Sequence, residues 1–241
     1  MIDLSNKRSL YRIYKKKKPN GKFRVIYAPQ GELKEAQKKL AAKLGVIYEP
    51  PSCVYAYVSG RSTRDLAECH LGKDWLITID LKDFFPSIKK DMVLSLQGIS
   101  EYEADLATYD GSCVQGSPCS PIISNMYMKD HDEAFLVLFA RLGITYTRYS
   151  DDIQLSGFGR PSWQLINIIR QPLRHELKLE LNEKKIKFMF KNQRQEVLGI
   201  CVNDKLSVNR KLRSQLKFRA SRGMLDQTDE GRLGYIRGIM K

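Results

Sequence analysis

Two adjacent carboxylates, Asp151 and Asp152, interrupt the stretch YTRYSDDIQLSG (Tyr146 to Gly157), which otherwise alternates like a half-buried strand. An aspartate pair in a hairpin turn needs no chemical role of its own, because Asp bonds nearby backbone and tolerates left-handed conformations. The pair acquires one through Asp80, at the end of the apolar run ITID, where a carboxylate leaving water is costly unless something positive meets it. Where that run lies beside the hairpin, three carboxylates converge, repel one another and resist ionising. A divalent cation removes the repulsion. Oxygen ligands with no thiolate or imidazole nearby favour Mg²⁺ or Mn²⁺ over Zn²⁺. Two such ions about 3.5–4 Å apart clamp the attacking and leaving oxygens of an in-line phosphoryl displacement. The residues therefore point to polynucleotide chemistry, with polymerase and nuclease both open.

The elements that must position these aspartates are legible in outline. DWLITIDLKDFF reads as a central strand, with Leu76, Thr78 and Asp80 on one face and Ile77 and Ile79 on the other. YRIYKKKKPNGKFRVIYAP reads as strand, turn and strand, punctuated by Pro19-Asn20-Gly21 and ended by Pro29. Helical spacing of Leu33, Ala36, Leu40 and Leu44 predicts an amphipathic helix over 32–44. Residues 62–70 also read as helix, VYAYVSGRS before them as strand or loop, and Pro86-Ser87 as the start of a helix through DMVLSLQ. Gly111 to Pro121 is a Gly/Ser/Pro loop before a long helix over 122–142, and a further amphipathic helix spans 163–177. Short strands follow near KIKFMF, EVLGICV and KLSV, and the chain from Lys211 is helical and basic. Strands and helices mix without regular βαβ alternation, so the expected class is α+β.

Charge narrows the partner. The net charge of +14 divides into +8 over residues 1–30, −3 over 31–177 and +9 over 178–241. Two cationic ends around a slightly acidic middle suit a phosphate backbone, where Lys and Arg release condensed counterions. The five cysteines are scattered with no C-x-x-C pair, which argues against a disulfide framework or thiolate zinc site and fits a reducing cytoplasm. No apolar run approaches the roughly 20 residues that span a bilayer. The start of the chain carries no secretory signal, so neither membrane nor export is expected.

IDLKDFFPSI, QGSPCSPIISN and YSDD, in this order and separation, resemble the palm motifs of reverse transcriptases. Tyr11 to Gln37 is similar to the fingers of the bacterial retron and group II intron branch, and EVLGICVNDKLSVNRKLRSQLK to the palm–thumb region of retron-type enzymes. LAECHLG resembles a short retron segment, with Leu66 where the family usually has Asn. The resemblance covers roughly residues 11–240 and implies a right-hand polymerase: fingers over 1–75, palm over 76–200 with a fingers insertion near 95–115, and a short or truncated thumb over 201–241. Its palm would be an antiparallel sheet packed on helices.

The resemblance also implies residue roles. Asp80, Asp151 and Asp152 would be the catalytic metal ligands for two Mg²⁺ ions, with Mn²⁺ as a substitute. Lys22, Arg24, Asp83, Phe85, Gln115 and Gly116 would bind the incoming nucleotide, with Phe85 clashing with a 2′-hydroxyl and so selecting dNTPs. Phe84 beside it reads as core. Lys184 or Lys185 would protonate the leaving pyrophosphate, and Leu198-Gly199 would lie at the primer end. His70 reads as structural or RNA-contacting. Ser150 stands where the branch usually has Ala. The expected activity is primer extension on an RNA template by a cytoplasmic, bacterial or phage-encoded enzyme making a small DNA for phage defence. Its expected partners are an RNA–DNA duplex, a structured cognate RNA and an effector protein. The alternatives are a defence polymerase making untemplated or protein-primed DNA and, from another class, a non-catalytic RNA-binding module of polymerase shape.

Overall fold

The computed structural model describes residues 2–4, 6–17, 21–224 and 226–240. Its framework is a four-stranded antiparallel sheet in the order β4-β5-β3-β6, formed by Thr145–Tyr149, Asp152–Gly157, Trp75–Asp80 and Lys187–Phe190. Period-2 alternation sends the side chains of β3 to two different cores. Trp75, Ile77 and Ile79 join the larger core, whereas Leu76 joins a smaller one built largely by C-terminal elements. Thr78 and Asp80 share the face of Leu76 and line an open cleft instead. The same rule sends Ile153 and Leu155 of β5 inward and leaves Asp152 and Gln154 on the cleft side.

Helices α1 (Gly31–Ile47), α6 (Ser120–Arg141) and α7 (Gln164–His175) fill the larger core. On α1 the buried positions Leu33, Gln37, Leu40 and Leu44 recur every three or four residues, which makes one apolar stripe. Each fully buried Leu or Ile contributes about 1.5–3 kcal/mol relative to exposure, so this stripe suffices to dock the helix. Helix α5 (Glu101–Ala107), within the 95–115 segment, packs on α1, and Lys43 of α1 bridges to Glu103 at 2.8 Å.

Strands β1 (Tyr11–Lys17) and β2 (Phe23–Pro29) pair antiparallel from Tyr11↔Pro29 to Lys17↔Phe23, as an exposed two-stranded ribbon. Lys18, Pro19 and Asn20, in the turn expected between them, lie outside the described residues. The smaller core joins α2 (Thr63–Cys69) to the short strands β7 (Glu196–Val197), β8 (Ile200–Cys201) and β9 (Ser207–Val208), and to α8 (Arg210–Ser221) and α9 (Gln227–Met240). Leu66 is fully buried there. A capping box starts α2, with Ser62 Oγ accepting from the Asp65 N–H and the Asp65 carboxylate accepting from the Ser62 N–H.

One expectation needs correction. The helix expected to run from Pro86 through DMVLSLQ is two short pieces, α3 (Phe84–Ser87) and α4 (Lys90–Leu94). Ile88 between them is extended and fully buried, and its carbonyl accepts from the Cys113 N–H at 2.9 Å, so the chain leaves the helix to pair with the 111–115 loop. His70, read as structural or RNA-contacting, is fully buried and structural. Its ring is enclosed between Ser156 Oγ at 2.7 Å and Thr147 Oγ1 at 2.8 Å, and burial drives its pKa down to about 3. It is a neutral strut between α2 and the sheet.

Candidate active site

The sheet register brings the aspartates together. Asp80, the last residue of β3, is the Cα partner of Asp152, the first residue of β5. Asp151 sits in the β4–β5 turn, where its carbonyl accepts from the Leu81 N–H at 2.8 Å. The turn closes through Ser150 in the left-handed region at φ 58°. All three aspartates line one cleft of about 380 Å³ together with Arg24, Lys185 and Lys187. Burial raises the Asp151 pKa, with Asp80 adding to it. Asp152 is pushed to about 7 by burial first, then by Asp151 and Asp80. Arg24 and Lys185 act in the opposite direction on Asp151. Burial and mutual repulsion thus outweigh the pull of the flanking cations on Asp151 and Asp152.

Asp80 is tied down by the segment that carries Lys184 and Lys185, and by a residue there that sequence reasoning missed, Asn182. The Asn182 N–H donates to the Asp80 carbonyl at 2.8 Å, and Asn182 Nδ2 donates to Oδ1 at 2.9 Å. Lys185 Nζ donates to Oδ2 at 2.7 Å, and that bond raises the lysine's own pKa. The structure thus brings Lys185, not Lys184, to the carboxylates. The only signal was local: Asn182 lies two residues before the paired lysines in LNEKK, within bridging reach of a strand end.

The donor set suits a hard divalent cation, since it is all oxygen and two of its carboxylates resist ionising without a nearby cation. The side chains are not closed around one, however. Among the described residues no group of three or more His, Cys, Asp or Glu is spaced to hold a metal ion. The expected convergence is one of backbone and cleft, because the Asp80 carboxylate is engaged by Lys185 and Asn182.

The remaining residues divide around the cleft. Arg24 also lines a neighbouring cavity of about 360 Å³ with Asp83, Tyr109 and Gln115. Lys22 is exposed one residue before β2. Asp83 adopts a left-handed φ of 45° at the start of α3. Phe84 is buried, and Phe85 packs against the core with its ring centroid 5.6 Å from that of Phe84. Gly116 does allow a close approach, though of protein. A Cβ there would stand 2.6 Å from the Tyr27 carbonyl oxygen, and the Tyr27 N–H donates to the Gln115 carbonyl at 2.8 Å. The glycine seats the β1–β2 ribbon on the loop. Gln115 Oε1 is buried with no partner. On the opposite side, Leu198 and Gly199, at φ 48° and 85°, form the β7–β8 turn and share a cavity with Asp152, Thr78 and Arg194.

Beneath the hairpin lies a cluster the sequence did not suggest. Arg148 and Asp132 are both fully buried, with Arg148 Nη2 donating to Asp132 Oδ2 at 2.6 Å and Nε to Oδ1 at 2.9 Å. Tyr146 donates its hydroxyl to Asp132 Oδ1 at 2.7 Å.

A twisted antiparallel sheet presenting carboxylates from a strand end and an adjacent hairpin turn, with an outlying ribbon and a C-terminal helical region, defines the right-hand polymerase fold. Solved structures agree: telomerase from Candida albicans in complex with a fragment of telomeric RNA superposes with a TM-score of 0.56 at 12% identity, over 86% of this chain and 50% of that one. Apo telomerase from Candida tropicalis, truncated from its C-terminal domain, gives 0.54 at 14%, over 83% and 55%. The chain belongs to the reverse transcriptase (RNA-dependent DNA polymerase) family, which it matches over residues 14–202.

Within that family its likeness is to the retron type. It is 26% identical to the retron Mx65 reverse transcriptase of Myxococcus xanthus, over 92% of this chain and 58% of that protein. It is 24% identical to the retron Ec83 enzyme of Escherichia coli over 95% and 81%, and 31% identical to the retron Ec86 enzyme of the same species over 61% and 48%. The chain thus spans 58% of the Mx65 relative and about half the length of the telomerase chains. Reverse transcriptases as a family use divalent metal ions. Among the described residues no helix is long and apolar enough to cross a membrane.

Proposed function

We propose that this chain is an RNA-directed DNA polymerase of the retron type, extending a primer with dNTPs on an RNA template in the bacterial cytoplasm. The observation that carries the reading is the Asp80↔Asp152 register, which sets three aspartates and the cations Arg24, Lys185 and Lys187 around one cleft. Two Mg²⁺ ions held by Asp80, Asp151 and Asp152 would activate the primer 3′-hydroxyl and neutralise charge on the transferring phosphate. Lys185, whose Nζ donates to Asp80 at 2.7 Å, is the residue that would give a proton to the leaving pyrophosphate. Arg24, with Lys22, clamps the triphosphate where charge develops. Phe85 excludes a 2′-hydroxyl, Asp83, Gln115 and Gly116 frame the incoming nucleotide, and the Leu198-Gly199 turn supports the primer end.

The same reading assigns residues 1–75 with the 95–115 insertion to fingers, 76–200 to palm and 201–241 to thumb. A cavity of about 830 Å³ between α2, β9, α8 and α9 carries five cations (Arg64, Arg194, Lys205, Arg210, Arg213) against Glu68 and Asp204. It suits a phosphate backbone leaving the cleft. A structured cognate RNA and an effector protein complete the assembly on the retron pattern. The test is primer extension on an RNA template with Mg²⁺, comparing dNTPs with rNTPs and the wild type with an Asp151→Asn/Asp152→Asn variant. Extension with dNTPs alone, lost in the variant while RNA binding is kept, supports the proposal. Equal RNA binding by both proteins with extension by neither overturns it in favour of a binding module.

A further inference from the structure

The cluster beneath the hairpin joins three elements at the one backbone turn the chemistry depends on. Arg148 Nη1 donates to the carbonyl of Ser150 at 3.0 Å, the residue that turns the chain into Asp151 through its left-handed φ of 58°. The rest of the guanidinium is held by Asp132 of α6, through Nε at 2.9 and 3.1 Å and Nη2 at 2.6 Å. Tyr146 supplies a further donor to the same carboxylate. The Arg148 backbone is fixed from the other side, its N–H donating to Cys53 at 2.8 Å and its carbonyl accepting from Tyr55 at 3.0 Å. The guanidinium is thus held in place by α6, its own strand is held by the 53–55 loop, and its last arm reaches the turn.

A buried ion pair is weak evidence of a stabilising role, because well-packed apolar residues of similar volume often do as well. What apolar residues cannot do is donate a directed hydrogen bond to the Ser150 carbonyl. A lysine could not hold both ends either, since only the planar fork can grip a carboxylate with two nitrogens and spend a third on the turn. The left-handed conformation of a serine is mildly unfavourable in itself and persists where its surroundings over-determine it. Arg148 is the side chain that supplies this constraint.

We infer that Arg148, locked by Asp132, is a positioning residue that sets the Ser150–Asp151 turn and hence the direction in which Asp151 and Asp152 present their carboxylates. The inference rests on the polymerase reading for its catalytic consequence, while its effect on ion binding stands apart from that reading. Supporting groups of this kind change metal affinity or activity by about 10- to 100-fold when removed.

The test compares the wild type with Arg148→Lys and with the paired apolar replacement Arg148→Met/Asp132→Leu, which leaves no buried charge behind. Three quantities are read: Mn²⁺ affinity by electron paramagnetic resonance, the split of kcat and KM for dNTP in primer extension, and the melting temperature. The expected result for the double variant is a cooperative melting transition, lowered only by what the buried Tyr146 hydroxyl loses with its acceptor, Mn²⁺ affinity weakened about 10-fold or more, and kcat lowered about 10- to 100-fold with KM for dNTP little changed. Arg148→Lys, where it folds, shows the same losses despite keeping its charge. A stably folded double variant with wild-type Mn²⁺ affinity and kcat overturns the inference and leaves the pair a packing element. If the wild type binds Mn²⁺ but extends no primer, the polymerase reading fails by itself, and the Mn²⁺ comparison still decides the role of Arg148.

Discussion

The β4–β5 hairpin carries two acidic environments on its two sides, and they are built on opposite terms. On the α6 side, Asp132 is enclosed with Arg148 and Tyr146, and both of its oxygens accept hydrogen bonds from them. On the cleft side, Asp151 and Asp152 are flanked by Asp80, and burial with mutual repulsion raises both pKa values. Both sites withdraw carboxylates from water. One completes its charge balance inside the chain and becomes a strut. The other leaves its carboxylates facing an open cleft, where burial and repulsion keep them available to a cation.

Substitution separates the two sites. The largest effect is expected from Asp151→Asn, which removes a charge from the cleft side. Extension should fall by roughly 10³-fold or more while the melting temperature stays level or rises, because repulsion is relieved. A stable variant with near-normal extension would remove Asp151 from the chemistry. Asp132→Asn does the reverse, stranding the guanidinium in the core. It should destabilise the fold by about 3–5 kcal/mol in urea titrations, and a loss under about 1 kcal/mol would mean that the pair is not as buried as its zero exposure indicates.

A smaller difference sharpens the cleft side. Lys185→Ala should lower kcat by about 10²-fold as a lost proton donor, whereas exposed Lys184→Ala should leave it nearly unchanged. Equal effects would sink the assignment. The smallest effect concerns His70, a third buried titratable group. Because its folded pKa is about 3, below the unfolded 6.5, the unfolded chain alone takes up a proton between those values. The stability His70 contributes is therefore complete above pH 6.5 and declines as pH falls, by about 1.4 kcal/mol per unit. Asp152, shifted upward, works in the opposite direction, so the useful quantity is the wild type minus His70→Gln at pH 7.5 and 5.0. A difference that does not change with pH would show that the ring titrates normally.

Much of this arrangement was legible from residue order. Alternation in ITID is a local property, and it assigned Ile77 and Ile79 to one face before any pairing was known. The helices over 31–47, 120–141 and 164–175 follow from spacing for the same reason. Where local signals met a tertiary competitor they failed. The helix after Pro86 broke because Ile88 gains more by burial and by pairing with Cys113 than by continuing the turn. At Gly116 the backbone that comes close is the Tyr27 carbonyl, supplied by a ribbon some ninety residues earlier that no local pattern announces.

The sequence by itself determined the inventory: three aspartates, a basic start and end, a glycine loop and the strands to carry them. Types and spacings are enough for that, because periodicity and charge are written along the chain. Only the tertiary structure decided the pairings. Asn182 and Lys185 reach Asp80 from a hundred residues downstream, and Asp132 reaches Arg148 from a different element. A carboxylate's partner is set by which elements the folded chain brings within about 3 Å, and no one-dimensional pattern encodes that distance. So the residues that could bind an ion were visible from the start, and the one that sets the turn beneath them was not.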